Sequence, residues 1–387
     1  MSWPEAILFV TVAALGCASI LYALLALLYT RQWLDEPAPP VVTIAALPPV
    51  TLLRPLKAGV PALREKLELL VKAMRPDDQL LLGADEGAEE MRLCAELCAA
   101  FPERAICVVS CRASEALNPK ISKLVQMTPH ARHAHWVLSD SEAMLDAAWL
   151  DAFRREWLAS GADVLTAGYR FVNLATWPQR LDAAAALLEL WPGLAMVRRF
   201  GRVNFTLGAC TGFRRADVEA VGGWAAFGDF LAEDNRLGAA LAKAGRTIRL
   251  SAQIATLDSD LLSWREYWRH QRRVAVTYRV CSPAGFVGMI LMNGIVASTQ
   301  IIVFATATGT WTGTCMFLAA AVQLVRWMCF RALGKAARFS IPPLFPVMLA
   351  AGAVQIACGC MARSFPRVWW AGRRWQVSRA GRITPDG

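Results

Sequence analysis

The stretch HWVLSDSEAMLDAAWLDAF, residues 135–153, begins apolar and turns acidic within a few positions. Trp136, Val137 and Leu138 read as the end of a buried strand, and Ser139, Asp140, Ser141 and Glu142 follow at once. Like charges two positions apart repel unless a cation sits between them. Two readings compete. In one, Asp140 and Glu142 leave a strand end on a turn and share a divalent ion, Mg²⁺ or Mn²⁺, which normally also coordinates a diphosphate. In the other, both acids open the helix EAMLDAAWLDAF, with Ser139 or Ser141 as its cap and the helix dipole favouring acids in the first turn.

The segments upstream say what kind of sheet this strand belongs to. VTLLRP (50–55) is a buried-strand candidate, followed by the helical pattern PALREKLELLVKAM. DQLLLGAD is a second strand ending at Asp85, and a helix rich in Glu and Ala runs on to Ala100. AICVVSC is a third strand, PKISKLVQMT a helix, and HWVLSD a fourth strand. Strands alternating with helices predict a parallel sheet in an α/β domain, here over residues 36–280. Ligands of such sheets sit at the carboxyl ends of the strands, where Asp85 and Asp140 both fall.

Both ends of the chain are apolar. Of 387 residues 56% are hydrophobic and mean hydropathy is +0.35, high for a wholly soluble protein. Residues 6–29 carry no charge and are long enough for a bilayer core of about 30 Å. Residues 1–5 hold no basic side chain, and the run exceeds a signal peptide's h-region of about 7–15 residues, so 1–35 is expected to keep a transmembrane helix. Further spans are expected at about 285–308, 313–330 and 346–363, the last entered through SIPPLFP. Residues 281–365 would form this membrane region and 366–387 a basic tail. Arg31 follows the first span while no Lys or Arg precedes it, which puts the central region in the cytoplasm, at the inner (cell) membrane of a bacterium. A full fourth crossing would export the six arginines of RSFPRVWWAGRRWQVSRAGR, so the segment either re-enters or breaks the charge rule.

A net charge of +10 suits an anionic membrane surface or an anionic substrate. Nucleic acid is not expected, since no zinc-finger spacing, RNP-like motif or lysine-rich arm occurs. Eleven scattered cysteines, an odd number, fit a reducing compartment better than a disulfide framework. His130, His133 and His135 have no Cys or acid beside them and read as a solvated loop.

Three later segments add a pattern: GACTGFRRADVEAVGGW (208–224), FGDFLAEDNRLGAALAKAGRTIRL (227–250) and YWRHQRRVAVTYR (267–279). With them the chain resembles the membrane-bound, family-2-type glycosyltransferases of GT-A fold, in the ceramide glucosyltransferase-like branch and close to the hopanoid-modifying branch. The likeness covers roughly residues 45–290. It rests on Asp85 at a strand end, on Asn118, Pro119 and Lys120 as NPK, and on Ser139 to Glu142 as the SDSD metal motif. Glu233 and Asp234 stand before an LG helix, and Arg269 to Val274 match a basic RHQxRW segment. Glu142 replaces an Asp of the pattern and Val274 its Trp.

The resemblance implies a GT-A (Rossmann-like nucleotide-diphospho-sugar transferase) domain plus transmembrane helices. It implies a UDP-sugar donor with its uridine near Asp85, Lys120 on the nucleotide or diphosphate, and a divalent cation on Asp140 and Glu142. Asp234 would be the general base toward a lipid hydroxyl, and Arg273, with Arg272, would stabilise the released diphosphate. Glu233, His270 and Gln271 would lie in the acceptor region. One base without a second nucleophilic carboxylate suits direct displacement with inversion. Two other readings stay open: N-acetylhexosamine transfer to a hopanoid polyol, and a non-catalytic membrane scaffold, motivated by Glu142 and Val274.

Overall fold

The computed structural model describes residues 3–36, 47–112, 116–261, 263–309, 311–342 and 344–386. Helix α1 (Trp3–Leu34) covers the uncharged first run. The α/β rhythm then appears as read. Strands β1 (Val50–Pro55), β2 (Gln79–Asp85), β3 (Ala105–Cys111) and β4 (His135–Ser139) lie parallel in the order β3-β2-β1-β4. Helices α2 (Leu63–Ala73), α3 (Glu89–Ala100) and α4 (Pro119–Met127) connect them. β1 is buried along its whole length because helices cover both faces of the sheet. Leu52, Leu67, Leu70 and Val137 fill one side, and Leu53, Ile121, Leu124 and Phe213 the other.

Beyond β4 the expectation of a parallel sheet is corrected. The chain continues through β5 (Ala143–Met144), α5 (Ala147–Ser160), β6 (Val164–Val172), α6 (Trp177–Leu188) and α7 (Leu190–Phe200). It then forms β7 (Cys210–Arg214), α8 (Arg215–Ala220), α9 (Glu233–Lys243) and β8 (Ile248–Asp258). The eight-stranded sheet runs β3-β2-β1-β4-β7-β6-β8-β5, with β7 antiparallel to both β4 and β6. The sheet is mixed. An apolar run long enough for a buried strand carries no sign of its direction, so the regular first half could not forecast the second.

The chain divides into two units that interleave in sequence. The first is Met1–Asp35, Leu174–Gly201 and Leu261–Trp370; the second is Glu36–Asn173, Arg202–Asp260 and Ala371–Gly387. The continuous span 36–280 thus contributes to both.

In the first unit, α10 (Trp264–Cys281) starts on a capping box in which Ser263 and Glu266 satisfy each other's backbone N–H. After it come α11 (Pro283–Leu291), α12 (Gly294–Thr308), α13 (Thr312–Ala336) and α14 (Phe345–Ser364). Among the described residues three helices, α1, α13 and α14, are long and apolar enough to cross a membrane. The expected span 285–308 is not one continuous helix: α11 and α12 meet at a 52° bend. Arg326 explains why that break is tolerated. Its Nη1 donates to the Met292 carbonyl at 2.9 Å and to Ser19 Oγ at 3.2 Å, satisfying the helix-end carbonyl left open at the break. Gly294 makes the room, since a Cβ there would lie 2.4 Å from Arg326 Cδ. Residues 310 and 343, in the expected outer turn and the proline-rich entry, lie outside the described residues.

The expected basic tail is structured as strands β9 (Arg367–Trp370), β10 (Arg373–Val377) and β11 (Ile383–Pro385). β10 and β11 pair antiparallel, and the Ile383 N–H donates to the Asp229 carbonyl within the second unit.

Candidate functional site

Where the parallel strands of the second unit end, charged side chains collect. Asn118 caps α4 by accepting from the N–H groups of Lys120 and Ile121, and Pro119 suits the first turn. This sets Lys120 at the helix start. Its Nζ lies 2.7 Å from Asp140 Oδ1 and 3.1 Å from Glu233 Oε1. Glu233 also accepts from Asn118 Nδ2 at 3.0 Å. Burial works against the Lys120 charge, yet Asp140, Glu233 and Asp234 together hold its ammonium pKa above the ordinary value.

Asp234 follows Glu233 in the first turn of α9, whose cap position is Ala232 with no capping side chain. The Asp234 Oδ1 accepts from the Asn235 N–H at 2.7 Å, and its carbonyl accepts from Thr206 Oγ1 at 2.8 Å. Gly238 lets α9 close onto that segment: a Cβ there would sit 2.3 Å from Phe205 backbone atoms. Burial first, and the charge of Glu233 second, push the Asp234 carboxyl up to about 7, against the opposing pull of Lys120. A carboxyl so placed can hold and release a proton near neutral pH.

The choice between turn and helix cap for Asp140 and Glu142 is resolved for the turn. Helix α5 begins only at Ala147, and Asp146 caps it by accepting from the Trp149 N–H at 2.8 Å. Asp140 and Glu142 therefore lie between β4 and β5, clear of any helix. Glu142 Oε1 accepts from Lys57 Nζ at 3.1 Å, and Lys57 also pairs with Asp260. Behind the turn, Arg54 on β1 donates to the carbonyls of Asp140 and Ala143. Gly208 packs its backbone on Asp140, where a Cβ would lie 2.6 Å from Oδ2.

Does this set fit a divalent cation? Among the described residues no three or more His, Cys, Asp or Glu side chains gather as a metal group. A hard ion such as Mg²⁺, however, is commonly held by one or two carboxylates and completes its shell with substrate phosphates and water. Charge favours it as well. The ion pairs given for Asp140, Glu142 and Glu233 are with Lys57 and Lys120, and Asp234 beside them adds a further acid to the cluster. The pair fits a cation that shares a diphosphate.

Asp85 ends β2 half exposed, and its Oδ1 pairs with Lys123 Nζ at 2.8 Å. The second unit thus gathers Lys120, Asp140 and Glu233 directly, with Asp234 next to Glu233, Glu142 on the same turn as Asp140, and Asp85 at the end of β2, two strands away. Arg54, Lys57 and Lys123 belong to this surroundings and were not singled out from sequence. Their signal is weak: a basic residue in the strand-end stretch RPLK and a second lysine one turn after Lys120.

The other named residues lie on α10, in the first unit. Gln271 is buried and donates from Nε2 to Asp182 Oδ1 at 2.8 Å; His270 Nε2 lies 3.4 Å from the same oxygen. Arg273 Nη2 reaches His270 Nδ1 at 3.1 Å, which assigns Nδ1 as acceptor and the proton to Nε2. Arg272 donates to the Arg367 carbonyl at 3.2 Å. Of the three early histidines, His135 belongs to β4 and meets Trp157 edge-on at 5.6 Å, rather than a solvated loop.

A curled α/β sheet with acids at its strand ends, in a chain that also carries helices fit to cross a membrane, is the architecture of a GT-A-type domain. The description Glycosyl transferase family 21 matches residues 10–383, and the chain belongs to that family. Among solved structures, the mannosyltransferase PcManGT from Pyrobaculum calidifontis, in complex with GDP-Man and Mn²⁺, is similar in fold. It has a TM-score of 0.56 at 16% identity, over 92% of this chain and 99% of that one. S. aureus TarS in complex with UDP-GlcNAc matches over 88% of this chain and 99% of its own at 13% identity, with a TM-score of only 0.38.

Proposed function

We propose that this glycosyltransferase moves a hexose from a UDP-sugar to the hydroxyl of a lipid, with inversion, in glycolipid synthesis. The observation that carries the reading is the Lys120 cluster, which joins the strand-end acid Asp140 to the helix-start acid Glu233, with the charge of Asp234 next in the chain also acting on the ammonium. Asp140 and Glu142 would hold Mg²⁺ or Mn²⁺, and when bound the ion supplies Lewis-acid stabilisation of the diphosphate leaving group. The Mn²⁺ in the Pyrobaculum protein makes that ion the first to test.

The chain's own residues do the rest. Asp234, ionised, accepts the proton of the acceptor hydroxyl, and burial with Glu233 tunes it for that near neutral pH. Lys120 neutralises charge beside Asp140 and orients the donor phosphates. Asp85, with Lys123 fixing its carboxylate, would accept from the nucleobase. Arg272 and Arg273 are assigned the leaving diphosphate by the resemblance alone. The unit bearing Asp234 is proposed to face the cytoplasm at the inner membrane of a bacterium. A cysteine at exposed position 89 should then resist membrane-impermeant labels in intact cells.

The deciding experiment incubates the purified full chain in detergent with Mn²⁺, a crude lipid extract and radiolabelled UDP-glucose, UDP-galactose, UDP-GlcNAc or GDP-mannose in turn. Labelled lipid and equimolar nucleoside diphosphate from a UDP-hexose support the reading. Labelling from UDP-GlcNAc alone, on a polyol triterpenoid, selects the hopanoid branch. No transfer from any donor sinks the enzymatic reading.

A further inference from the structure

Arg54 is fully buried in β1 and lies beneath the turn that carries the acid pair. Its Nη1 donates to two carbonyls at once, those of Asp140 and Ala143, the second at 3.0 Å. These residues bracket the turn, which the Ala143 N–H closes onto the Asp140 carbonyl at 3.0 Å. Exposure alternates across it. Asp140 and Glu142 keep side-chain exposures of 32% and 18%, while Ser141 and Ala143 retain 2% and 0%. With the carbonyls at both ends drawn inward onto one guanidinium, the two carboxylates project outward.

This arrangement is not the cheapest way to fill the space. Among the described residues the Nε and Nη2 of Arg54 have no hydrogen-bond partner, and a buried guanidinium with unmet donors costs stability that an apolar side chain would not. Burial draws the Arg54 pKa down to about 10.

We propose that Arg54 is a positioning residue: it clamps the Asp140–Ala143 turn in the shape that presents both carboxylates to one divalent cation. The inference rests on the reading of Asp140 and Glu142 as a cation site. It makes a prediction opposite in sign to that of simple electrostatics. A nearby positive charge repels a cation, so if Arg54 acted only as a charge, removing it would tighten cation binding. A clamp acts the other way. Outer partners that orient ligating carboxylates typically contribute about 10–100-fold to metal affinity.

The test titrates Mn²⁺ by electron paramagnetic resonance into full-length wild type, Arg54→Met and Arg54→Lys in detergent, without donor, beside melting curves. Arg54→Lys keeps the charge, but its ammonium ends one bond short of the Nη1 position and so does not lie between both carbonyls, and it reports the clamp even if Arg54→Met fails to fold. Folded Arg54→Lys with an Mn²⁺ Kd raised about 10–100-fold is the expected result. A Kd within twofold of wild type, or tighter binding by Arg54→Met, overturns the clamp. A lowered melting temperature with unchanged Kd gives Arg54 a structural role only and also overturns it. Wild type that binds no Mn²⁺ removes the cation reading itself, a result separate from the variants' comparison.

Discussion

In the second unit Lys120 sits among Asp140, Glu233 and Asp234; in the first, Asp182 sits against His270 and Gln271, with Arg273 behind the imidazole. Both clusters combine acids with bases near helix starts or faces, yet their balance differs. The first unit's acid is 5% exposed and approached by donors from α10, a helix rich in arginine. In the second unit's cluster Asp140, Glu233 and Asp234 surround the single Lys120, and Asp140 stays open to solvent at 32%. A satisfied buried carboxylate holds helices together, whereas an open acidic excess invites a cation or a proton. On the proposed reading the second unit's cluster carries the chemistry, and whether the first serves structure alone is what the contrast asks; it can be broken.

The largest effect is expected at Asp234. Asp234→Asn should fold and bind the donor but lose about 10²- to 10⁴-fold in turnover, read from single-turnover transfer. Wild-type kcat/KM should rise with pH through about 7 as the carboxyl ionises. Stability should move the other way. An acid raised in the fold from about 3.9 costs nothing below its unfolded pKa, and its ionisation destabilises increasingly until the pH passes the folded value. Asp234→Asn should therefore gain melting temperature over wild type at pH 8 and little at pH 4. Wild-type turnover in the variant would return Asp234 to a structural part, with Glu233 the next base to try.

Next comes the metal. EDTA should stop transfer and Mn²⁺ restore it, and Asp140→Ala should cost roughly 10²-fold or more. Full activity in EDTA would leave the acidic excess to Lys57 and Lys120 alone. Smaller again is Gly208→Ala, whose Cβ would crowd Asp140 Oδ2 at 2.6 Å. A roughly tenfold rise in Mn²⁺ Kd with an unaltered melting curve is expected, and an unchanged Kd would show the carboxylate free to move aside.

The same contrast explains what sequence could reveal. The strands β1 to β4 were legible because each buried run is bounded by a helical pattern, and Asp85 and Asp140 fall where those runs stop. The mixed half was not, since β7 enters between β4 and β6 by a direction that no composition marks. Turn or cap at Asp140 stayed open because the helix has its own acid cap, Asp146, only a few residues later. Arg54 and Lys57 were silent. Each meets its partner across more than 80 positions, so a buried arginine and an exposed lysine looked ordinary until the sheet brought them to the turn.

The smallest effect on chemistry belongs to Gln271, and it separates the two clusters most finely. The resemblance places Gln271 in the acceptor region, whereas the side chain is 4% exposed and spends its Nε2 on Asp182. Gln271→Leu has similar bulk and removes that donor, leaving a buried carboxylate with one hydrogen bond fewer. Such a loss costs about 1–3 kcal/mol, so the melting temperature should fall by several degrees. If that bond to Asp182 is the whole role of Gln271, the KM for lipid should not move. Gln271→Glu sharpens the test, since a second buried acid against Asp182 should destabilise more than leucine does. A raised lipid KM with an unchanged melting curve in Gln271→Leu would place this residue in the acceptor site after all, and the first unit's cluster would share in the chemistry.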